Sequence, residues 1–320
     1  MKQVVCTHAA ADPTGTVTLV DAPEPVCPER GVVIAVAARP INPADLLLLQ
    51  GRHVFTPTYP APVGIEGAGR VIEVGPSSRL AVGDLVAIPF GGTWCERMAF
   101  ADDDLLGLPS SFDLDQAAMF SVNPFTAAGL LEGVPKGACI ALNAATSAVS
   151  SLVLALSRAR GIAALAVVRD ASSADALRAR GAHAVVVDGP ELRASLSAAA
   201  PAPIRRALDA VAGDASGRLL EALDEGGELV VYGLLADDRV RLPATQVVFR
   251  DVTIRGYSRL RALQALAPER RAELTAELVS LAAEGTLAST IEARYPLAEV
   301  REALAHHERP GRRGKILLTS

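Results

Sequence analysis

Residues 138–170, ACIALNAATSAVSSLVLALSRARGIAALAVVRD, decide how this chain of 320 residues folds. The apolar run at 138–142 predicts a buried strand, the small residues of 143–147 predict a turn, and 148–160 has the length and composition of a helix. A second apolar run at 163–168 predicts the next strand. Strand, turn, helix and strand in this order indicate a βαβ unit, in which the two strands are parallel.

The same alternation continues after this unit. A helix is predicted over 172–180, and later apolar runs predict strands over 184–187, 206–211 and 228–232. Five strands with helices between them are typical of a doubly wound Rossmann sheet. The tail of the chain predicts a helix, a short extended segment, a second helix and a final strand, over 272–283, 291–295, 297–306 and 315–318.

The N-terminal part of the chain has a different pattern. Short runs rich in β-branched residues, such as 32–36 and 69–74, are separated by proline and glycine turns, which predicts a strand-rich, barrel-like domain. Near Asp115 the pattern changes to Ala/Leu segments of helix length. The predicted fold class is therefore α/β, with a β-rich domain followed by a Rossmann domain that has a doubly wound parallel sheet.

Charge and cysteine content limit the possible partners. Lys plus Arg number 31 and Asp plus Glu 36, which gives a formal charge of −5 with both signs interspersed. This balance argues against a dedicated nucleic-acid or membrane surface. The four cysteines form no C-x-x-C pair, so neither a disulfide scaffold nor a zinc finger is indicated. Because the amino terminus lacks a continuous apolar segment, we expect a cytoplasmic protein.

The turn of the βαβ unit is a candidate dinucleotide site. Backbone amides at the start of the following helix can bind a pyrophosphate, provided that the residues there are small. Glycine is expected, but Ala148 and Ser150 stand in its place. Each added Cβ narrows the approach to the phosphates, so we expect affinity to be reduced or lost. An ordinary strand-to-helix turn without a ligand is the alternative.

The end of the second strand bears on the choice of cofactor. Arg169 and Asp170 follow the turn by about twenty residues, where such folds hold the adenosine ribose. A carboxylate alone favours NAD, whereas a guanidinium can pair with the 2′-phosphate of NADP. Arg169 therefore favours NADPH, while Asp170 keeps NAD open, and a solvated residue at a strand end is the alternative for Arg169.

Eight short segments resemble one family. They are PINPAD (40–45), QG (50–51), GIEG (64–67), GTW (92–94), VNPFTA (122–127), VVRD (167–170), GGELVVYG (226–233) and FRDVTIRG (249–256). Spanning nearly the whole chain, they resemble the medium-chain dehydrogenase/reductase superfamily. The resemblance is to its zinc-independent branch, the mitochondrial-type enoyl-thioester reductases and quinone oxidoreductases. The Asn-Pro-x-Thr-Ala element is the most specific to that branch.

The resemblance implies a domain organisation. A GroES-like, β-rich catalytic domain would be formed by residues 1–115 and 259–320. A central Rossmann nucleotide-binding domain would occupy 116–258, with the active site between the two domains. The resemblance also implies a homodimer joined through the sheets of the nucleotide-binding domains.

The same resemblance argues against a metal. Zinc-dependent relatives place Cys at the position of Asn42, His at that of Ile65 and another Cys near Val122. None of these side chains here is a first-choice zinc ligand. The four-cysteine loop that binds structural zinc in those relatives is also missing. We therefore expect a metal-free enzyme.

Catalytic residues are implied at three positions. In the enoyl-reductase branch a tyrosine follows the Gln-Gly pair and is thought to act on the substrate carbonyl. Here that position holds His53, and an imidazole can donate a proton to an enolate. A solvated loop histidine is an equal alternative, with Tyr59 nearby to take the tyrosine's role. Asn42 would offer a polar contact near the reacting ring.

Cofactor contacts are implied in the central domain. Thr126, from the Asn-Pro-x-Thr-Ala element, would lie beside the nicotinamide carboxamide. The remaining predicted cofactor-binding residues lie in the turn and at two strand ends, and are Asn143, Ser147, Ala148, Val149, Arg169 and Tyr232.

The functional hypothesis is hydride transfer from NADPH to an activated C=C bond in a 2-enoyl thioester or an enone. The substrate would be a small molecule, including thioesters of CoA or acyl carrier protein. Without a metal, hydrogen bonds from His53 or water must stabilise the enolate. NADPH:quinone reduction is one alternative. The other is a degenerate family member without dinucleotide binding, which would catalyse a cofactor-independent step or serve as an interaction protein.

Overall fold

A computed structural model describes residues 1–320. The chain divides into two compact units. The terminal unit consists of Met1–Val122 and Ala288–Ser320, and the central unit consists of Asn123–Leu287. These limits differ from the predicted central domain, 116–258.

Both units combine strands and helices. In chain order the strands are β1 (Lys2–Cys6), β2 (Val17–Asp21), β3 (Gly31–Pro40), β4 (Ala61–Pro62), β5 (Gly67–Val74), β6 (Leu85–Ile88), β7 (Arg97–Ala101), β8 (Leu106–Leu108), β9 (Cys139–Leu142), β10 (Ala163–Val168), β11 (Ala184–Val187), β12 (Ile204–Asp209), β13 (Glu228–Val231), β14 (Thr253–Gly256), β15 (Ile291–Pro296) and β16 (Lys315–Thr319). The helices are α1 (Pro43–Leu49), α2 (Leu114–Ala118), α3 (Asn123–Leu130), α4 (Ala148–Arg160), α5 (Ala174–Arg180), α6 (Leu192–Ala199), α7 (Asp214–Ala222), α8 (Ala244–Phe249), α9 (Arg259–Ala265), α10 (Pro268–Ala283) and α11 (Val300–His307). No helix has both the length and the apolar character needed to cross a membrane.

The central unit contains one parallel sheet with the strand order β11-β10-β9-β12-β13-β14. The chain builds β9, β10 and β11 toward one edge and then returns to the other side of β9 for the remaining strands. This reversal confirms the predicted doubly wound sheet. In such sheets ligands bind at the carboxyl ends of the strands next to the reversal, which here are β9 and β12.

Local sequence explains the βαβ unit. The predicted helix 148–160 and strand 163–168 are confirmed by α4 and β10. Ser147 accepts the amide of Ser150 to start α4, and Gly161, with a left-handed φ of 68°, ends it. α5 starts later than predicted, because Asp170 caps a short 3₁₀ helix that comes first.

The sheet has six strands, whereas the sequence predicts five. The additional strand is β14, which pairs in parallel with β13 and forms an edge of the sheet. Its four residues are exposed or only partly buried, so they lack the apolar run that identifies the inner strands. Long-range pairing, rather than local periodicity, defines β14.

The terminal unit contains two sheets. The larger one has the order β15-β16-β3-β5-β6-β8, with β7 also paired to β3, and the smaller has the order β2-β1-β4. Trp94 is fully buried in the core beside Val4, Ile41 and Leu318. Gly64 makes room for it, because a Cβ at that position would lie 2.3 Å from the Trp94 ring.

The chain passes from the central unit back to the terminal unit at residue 288. α9 and α10 belong to the central unit, where the Arg160 guanidinium pairs with Glu277 of α10 at 2.9 Å. Leu274 and Leu278 of α10 are buried. The predicted return at 259 therefore comes too early, because α10 has a buried apolar face within the central unit. From Ala288 onward the tail joins the terminal unit, where β16 pairs antiparallel with β3.

Candidate functional site

The predicted nucleotide turn follows β9 in the central unit. Asn143 is buried and both polar atoms of its side-chain amide are hydrogen-bonded, with Nδ2 donating to Asp209 Oδ1 at 2.6 Å and Oδ1 accepting the amide of Ala210 at 2.8 Å. Asp209 also accepts the amides of Val211 and Ala212. Asn143 therefore ties the ends of β9 and β12 together, and these two bonds leave one N–H of its buried Nδ2 unused.

The N-terminus of α4 presents unpaired backbone donors. Ser147 caps only the amide of Ser150, at 3.3 Å. The amides of Ala148 and Val149, the first two residues of the helix, have no partner within it. Both residues are partly exposed. The aligned peptide dipoles add positive potential at this end, so the geometry suits an anionic phosphate.

Ser150 directs its hydroxyl into the protein. Its Oγ donates to the carbonyl of Asn143 at 3.2 Å and lies 3.1 Å from the Tyr232 hydroxyl. Burial raises the pKa of Tyr232 to about 12, so the phenol stays protonated at neutral pH. Serine is larger than the glycine expected at position 150, but its hydroxyl is hydrogen-bonded inside the central unit. It lies next to Tyr232, which directly follows β13.

Arg169 and Asp170 behave differently at the end of β10. The Asp170 carboxylate accepts the amide of Ser172 at 2.9 Å and also its hydroxyl, and these bonds lower the pKa of Asp170. Arg169 is exposed and forms no salt bridge in the chain. The carboxylate is thus committed to a local cap, while the guanidinium is available to a ligand.

Thr126 lies on α3, which is otherwise largely buried, and is itself partly exposed. Tyr257, which directly follows β14, packs against this helix. Its hydroxyl approaches the carbonyl of Phe125 at 3.5 Å, and its ring covers Gly129 so closely that a Cβ there would lie 2.0 Å from the hydroxyl oxygen. Glycine is therefore required at 129, and Tyr257 helps to fix the helix that carries Thr126.

His53 lies in the loop after α1 in the terminal unit and is partly exposed. Its Nδ1 accepts the amide of Phe55 at 3.1 Å. In the neutral ring this bond assigns the proton to Nε2, which is left as a donor. The next two side chains in the loop are apolar and exposed, since Val54 is 99% and Phe55 63% accessible.

The partly buried side chain of Tyr59 packs against the apolar core of the terminal unit. Its hydroxyl is buried without a hydrogen-bond partner, and burial raises its pKa. Such a phenol is a poor match for a tyrosine that acts on the substrate carbonyl, because that role needs an accessible hydroxyl.

Asn42 is buried in a polar network at the start of α1. Its Nδ2 donates to Glu66 Oε1 at 3.0 Å, and its Oδ1 accepts the Lys315 ammonium. The other oxygen of Glu66 accepts the Ser121 hydroxyl and the Val122 amide, both at 3.0 Å. The network therefore joins Asn42 to β16 and to the segment at 121–122.

Asp45 also belongs to this network, and burial shifts the pKa of both Asp45 and Lys315. Asp45 accepts the amide of Asn42 at 2.7 Å, and burial raises the pKa of its carboxyl to about 7. Burial lowers the pKa of Lys315 to about 8. Glu66 and Lys315 were not predicted as site residues. The sequence does contain a signal for both, because each charged residue adjoins an apolar strand. Glu66 lies in Gly-Ile-Glu-Gly, and Lys315 is the first residue of Lys-Ile-Leu-Leu.

The residues present do not fit a zinc ion. At the positions of zinc ligands in zinc-dependent relatives, the Asn42 amide is bonded to Lys315 and Glu66, and Ile65 is apolar. No group of three or more His, Cys, Asp or Glu side chains could hold a metal. Burial also raises the pKa of Cys95 and Cys139 to about 11, which keeps these thiols protonated.

Comparison with known proteins places these features in a family. The GroES-like domain of alcohol dehydrogenases matches residues 28–115, and a zinc-binding dehydrogenase family matches residues 180–318. The mitochondrial enoyl-[acyl-carrier-protein] reductase of Bos taurus is 33% identical over 302 residues, which cover 90% of this chain and 80% of that protein.

Solved structures share the fold along the full chain. A quinone oxidoreductase of Pseudomonas syringae pv. tomato superposes with a TM-score of 0.87 and 23% identity, covering 100% of both chains. The Etr1p–NADP–crotonyl-CoA complex gives a TM-score of 0.86 and 24% identity, covering 100% of this chain and 99% of that one. With the bovine relative, these findings confirm the resemblance. The chain belongs to the medium-chain dehydrogenase/reductase superfamily, in the branch of mitochondrial-type enoyl-thioester reductases and quinone oxidoreductases.

Proposed function

We propose that this chain uses NADPH to reduce a C=C bond conjugated to the carbonyl of a small thioester or ketone. The proposal is carried by the open N-terminus of α4, where the amides of Ala148 and Val149 lack partners within the helix. The chain's relationship to enoyl-[acyl-carrier-protein] reductases supports it, and thioesters of CoA or acyl carrier protein are the proposed substrates. NADPH would supply the hydride that adds to the β-carbon.

The central unit offers groups for each part of the dinucleotide. The amides of Ala148 and Val149 would hold the pyrophosphate, helped by the positive end of the α4 dipole. Arg169 would pair with the 2′-phosphate, because its exposed guanidinium forms no salt bridge and Asp170 is engaged by Ser172. The Thr126 hydroxyl would contact the nicotinamide carboxamide. Since Arg169 matches a phosphate, we propose that NADPH is preferred over NADH.

The terminal unit offers donors for the substrate carbonyl. Addition of hydride at the β-carbon shifts electron density onto the carbonyl oxygen, and a proton then adds at the α-carbon. His53 can donate a hydrogen bond from Nε2 to this oxygen, because Nδ1 is occupied by the amide of Phe55. Asn42 can add a second N–H, since only one hydrogen of its Nδ2 is used by Glu66.

Oxidation of NADPH in the presence of crotonyl-CoA tests this proposal. We expect the absorbance of NADPH to fall and butyryl-CoA to appear by mass spectrometry, in equal amounts. The same assay with NADH should run more slowly. If millimolar NADPH produces neither a thermal shift nor energy transfer from the single tryptophan, Trp94, the proposal fails and the degenerate, cofactor-independent alternative replaces it.

Reduction of a quinone is the second candidate. One observation favours it, namely that His53 occupies the position where the enoyl reductases have a tyrosine. Reduction of a quinone puts its protons on oxygen, where water can deliver them, so a dedicated acid is less necessary. NADPH oxidation with a benzoquinone, but none with crotonyl-CoA, would select this candidate.

We also propose that two copies associate through β14. This strand pairs only with β13, so its other edge is open to a further strand. Apolar side chains beside it are exposed, with Ile254 36%, Val248 69% and Phe249 79% accessible. A second copy offers both the matching strand edge and the matching apolar surface.

A further inference from the structure

Three ionisable side chains are buried together around Asn42 in the terminal unit. Asp45 is 1%, Glu66 0% and Lys315 4% accessible. Buried charges are costly unless they are paired and hydrogen-bonded. The proposed reduction does not by itself require a buried ammonium at Lys315, so its presence in the network needs an explanation.

The chemistry of the two neighbours fixes how the Asn42 amide is turned. A lysine ammonium only donates hydrogen bonds, and an ionised glutamate only accepts them. The Asn42 oxygen must therefore face Lys315, and the nitrogen must face Glu66, as observed. A flipped amide would set N–H groups against the ammonium and the oxygen against the carboxylate. The orientation of Asn42 thus follows from its partners.

We infer that Lys315 is a positioning residue that turns the Asn42 amide so that its remaining N–H can be donated to the carbonyl oxygen of the substrate. This inference rests on the proposed function and adds to it a residue that touches no substrate. The lysine's other contact, with the carbonyl of Ile41 at 3.3 Å, anchors the ammonium on the residue before Asn42. Glu66 is held in turn by Ser121 and Val122, so both ends of the amide have fixed partners.

A purely stabilising role for Lys315 would predict something different. Removing the ammonium would then lower the stability of the fold, but the molecules that remain folded would bind and turn over substrate normally. A positioning role predicts a fall in kcat at saturating substrate in protein that is fully folded. Two measurements distinguish the roles. One is the orientation of the Asn42 amide, and the other is whether the Lys315 substitution changes kcat or KM.

Selective ¹⁵N labelling makes the side chain of Asn42 directly observable by NMR in the protein without ligands. Asparagine occurs only at positions 42, 123 and 143, so [¹⁵N]asparagine gives three side-chain NH₂ groups, assigned by the loss of one in Asn42→Asp. We expect Lys315→Met to shift the Asn42 resonances and to leave those of Asn143 in place. Lysine occurs only at 2, 136 and 315, and the exposed Lys136→Met is the matched control.

Kinetics with crotonyl-CoA and NADPH then test the consequence. Loss of one oriented donor should lower kcat about a hundredfold in Lys315→Met and in Asn42→Asp. KM and the Kd of NADPH should not change. Lys315→Gln is a second variant for the case in which methionine prevents folding, since its amide can accept as well as donate and so removes the donor-only constraint.

Two results would overturn the inference. One is a folded Lys315 variant with unchanged Asn42 resonances. The other is a raised Kd of NADPH at unchanged kcat, because the acceptor would then be the cofactor carboxamide. Failure of the proposed function is distinguishable, since wild-type protein that oxidises no NADPH would still show whether Lys315 sets the orientation of Asn42.

Discussion

The hydroxyls of Ser150 and Tyr232 lie 3.1 Å apart at the start of α4. Ser150 stands at a glycine position of the nucleotide turn, and its side chain was expected to narrow the approach to the phosphates. Because Oγ is also bonded to the carbonyl of Asn143, it is committed to contacts inside the unit. The serine therefore stabilises the turn through two hydrogen bonds.

Replacing Ser150 by glycine should accordingly not tighten cofactor binding. We expect Ser150→Gly to lower the free energy of unfolding by about 1–2 kcal/mol, through a lost hydrogen bond and a weaker helix start. The Kd of NADPH, measured by fluorescence titration, should remain within about twofold, a change below 0.5 kcal/mol. Ser150→Ala separates the hydroxyl from the Cβ, and a tenfold tighter Kd in the glycine variant alone would restore the steric explanation.

Arg169→Gln should reduce the preference for NADPH. The guanidinium is exposed and without a salt bridge, so its loss should affect the ligand phosphate and hardly affect stability. We expect the Kd of NADPH to rise about tenfold, as for loss of one charge-assisted pair, while the Kd of NADH stays the same. Arg193→Gln, at another exposed arginine of the central unit, is the control. Equal weakening of both cofactors would argue against recognition of the 2′-phosphate.

The βαβ unit could be predicted because its signals are local. Apolar runs of strand length flank a helix that Ser147 starts and Gly161 ends. β14 could not be predicted in this way, because its half-exposed residues become a strand only by pairing with β13. The change of units at 288 was missed for a similar reason, since the periodicity of α10 does not say which core its apolar face meets.

The candidate site shows the same division between local and long-range information. The position of α4 and the placement of Arg169 after β10 follow from sequence order. The engagement of Asn143 by Asp209, 66 residues away, and of Asn42 by Lys315, 273 residues away, is visible only in the folded chain. Sequence identifies polar residues near a site, but the partner decides whether each one faces the ligand.

A charge on the open edge of the central sheet should prevent association. The Phe249 side chain is 79% accessible beside β14, so Phe249→Glu adds a charge without disturbing the core. We expect the molar mass measured by light scattering to fall from twice the chain mass to one chain mass, because like charges would meet across the two-fold axis. Val26→Glu, at an 86% accessible valine of the terminal unit, is the control. Wild-type protein with the mass of one chain would contradict the proposed homodimer.

His307 should make stability fall in mild acid. Burial, reinforced by Arg312 and Lys315, lowers the pKa of His307 from 6.5 to about 3, so the folded state keeps the ring neutral. Below pH 6.5 the unfolded chain binds a proton that the folded chain excludes, and stability is lost as pH falls toward 3. The loss due to this residue is about 2 kcal/mol between pH 7 and pH 5.

The comparison of two variants isolates this contribution. The free energy of unfolding of His307→Leu, measured in urea at pH 7 and pH 5, should fall less between the two pH values than that of wild type. His183→Leu, at an exposed histidine, should behave like wild type. The raised pKa of Asp45 acts with the opposite sign, since its stabilising protonation is gained as pH falls, but it is common to all three proteins. An equal pH dependence in all three would rule out the buried neutral ring.

Paired substitutions should decide between His53 and Tyr59 as the donor to the substrate carbonyl. In His53→Asn the amide oxygen can still accept the amide of Phe55, as Nδ1 does, but the donor at Nε2 is lost. We expect kcat with crotonyl-CoA to fall about a hundredfold, within the range for one positioned acid or donor, while stability is preserved.

Tyr59→Phe should give the opposite pattern. Its buried hydroxyl has no hydrogen-bond partner, so removing it takes away a desolvation cost of about 1 kcal/mol or more and should raise the free energy of unfolding. Because the ring packs against the core and the buried hydroxyl has no hydrogen-bond partner, kcat should stay at the wild-type value. A large loss of kcat in Tyr59→Phe together with normal turnover in His53→Asn would reverse the assignment. The loop would then have to repack during catalysis and bring Tyr59 out of the core. The resting fold buries the hydroxyl in either case, so the kcat values of the two variants, and not the stability gain, separate the two cases.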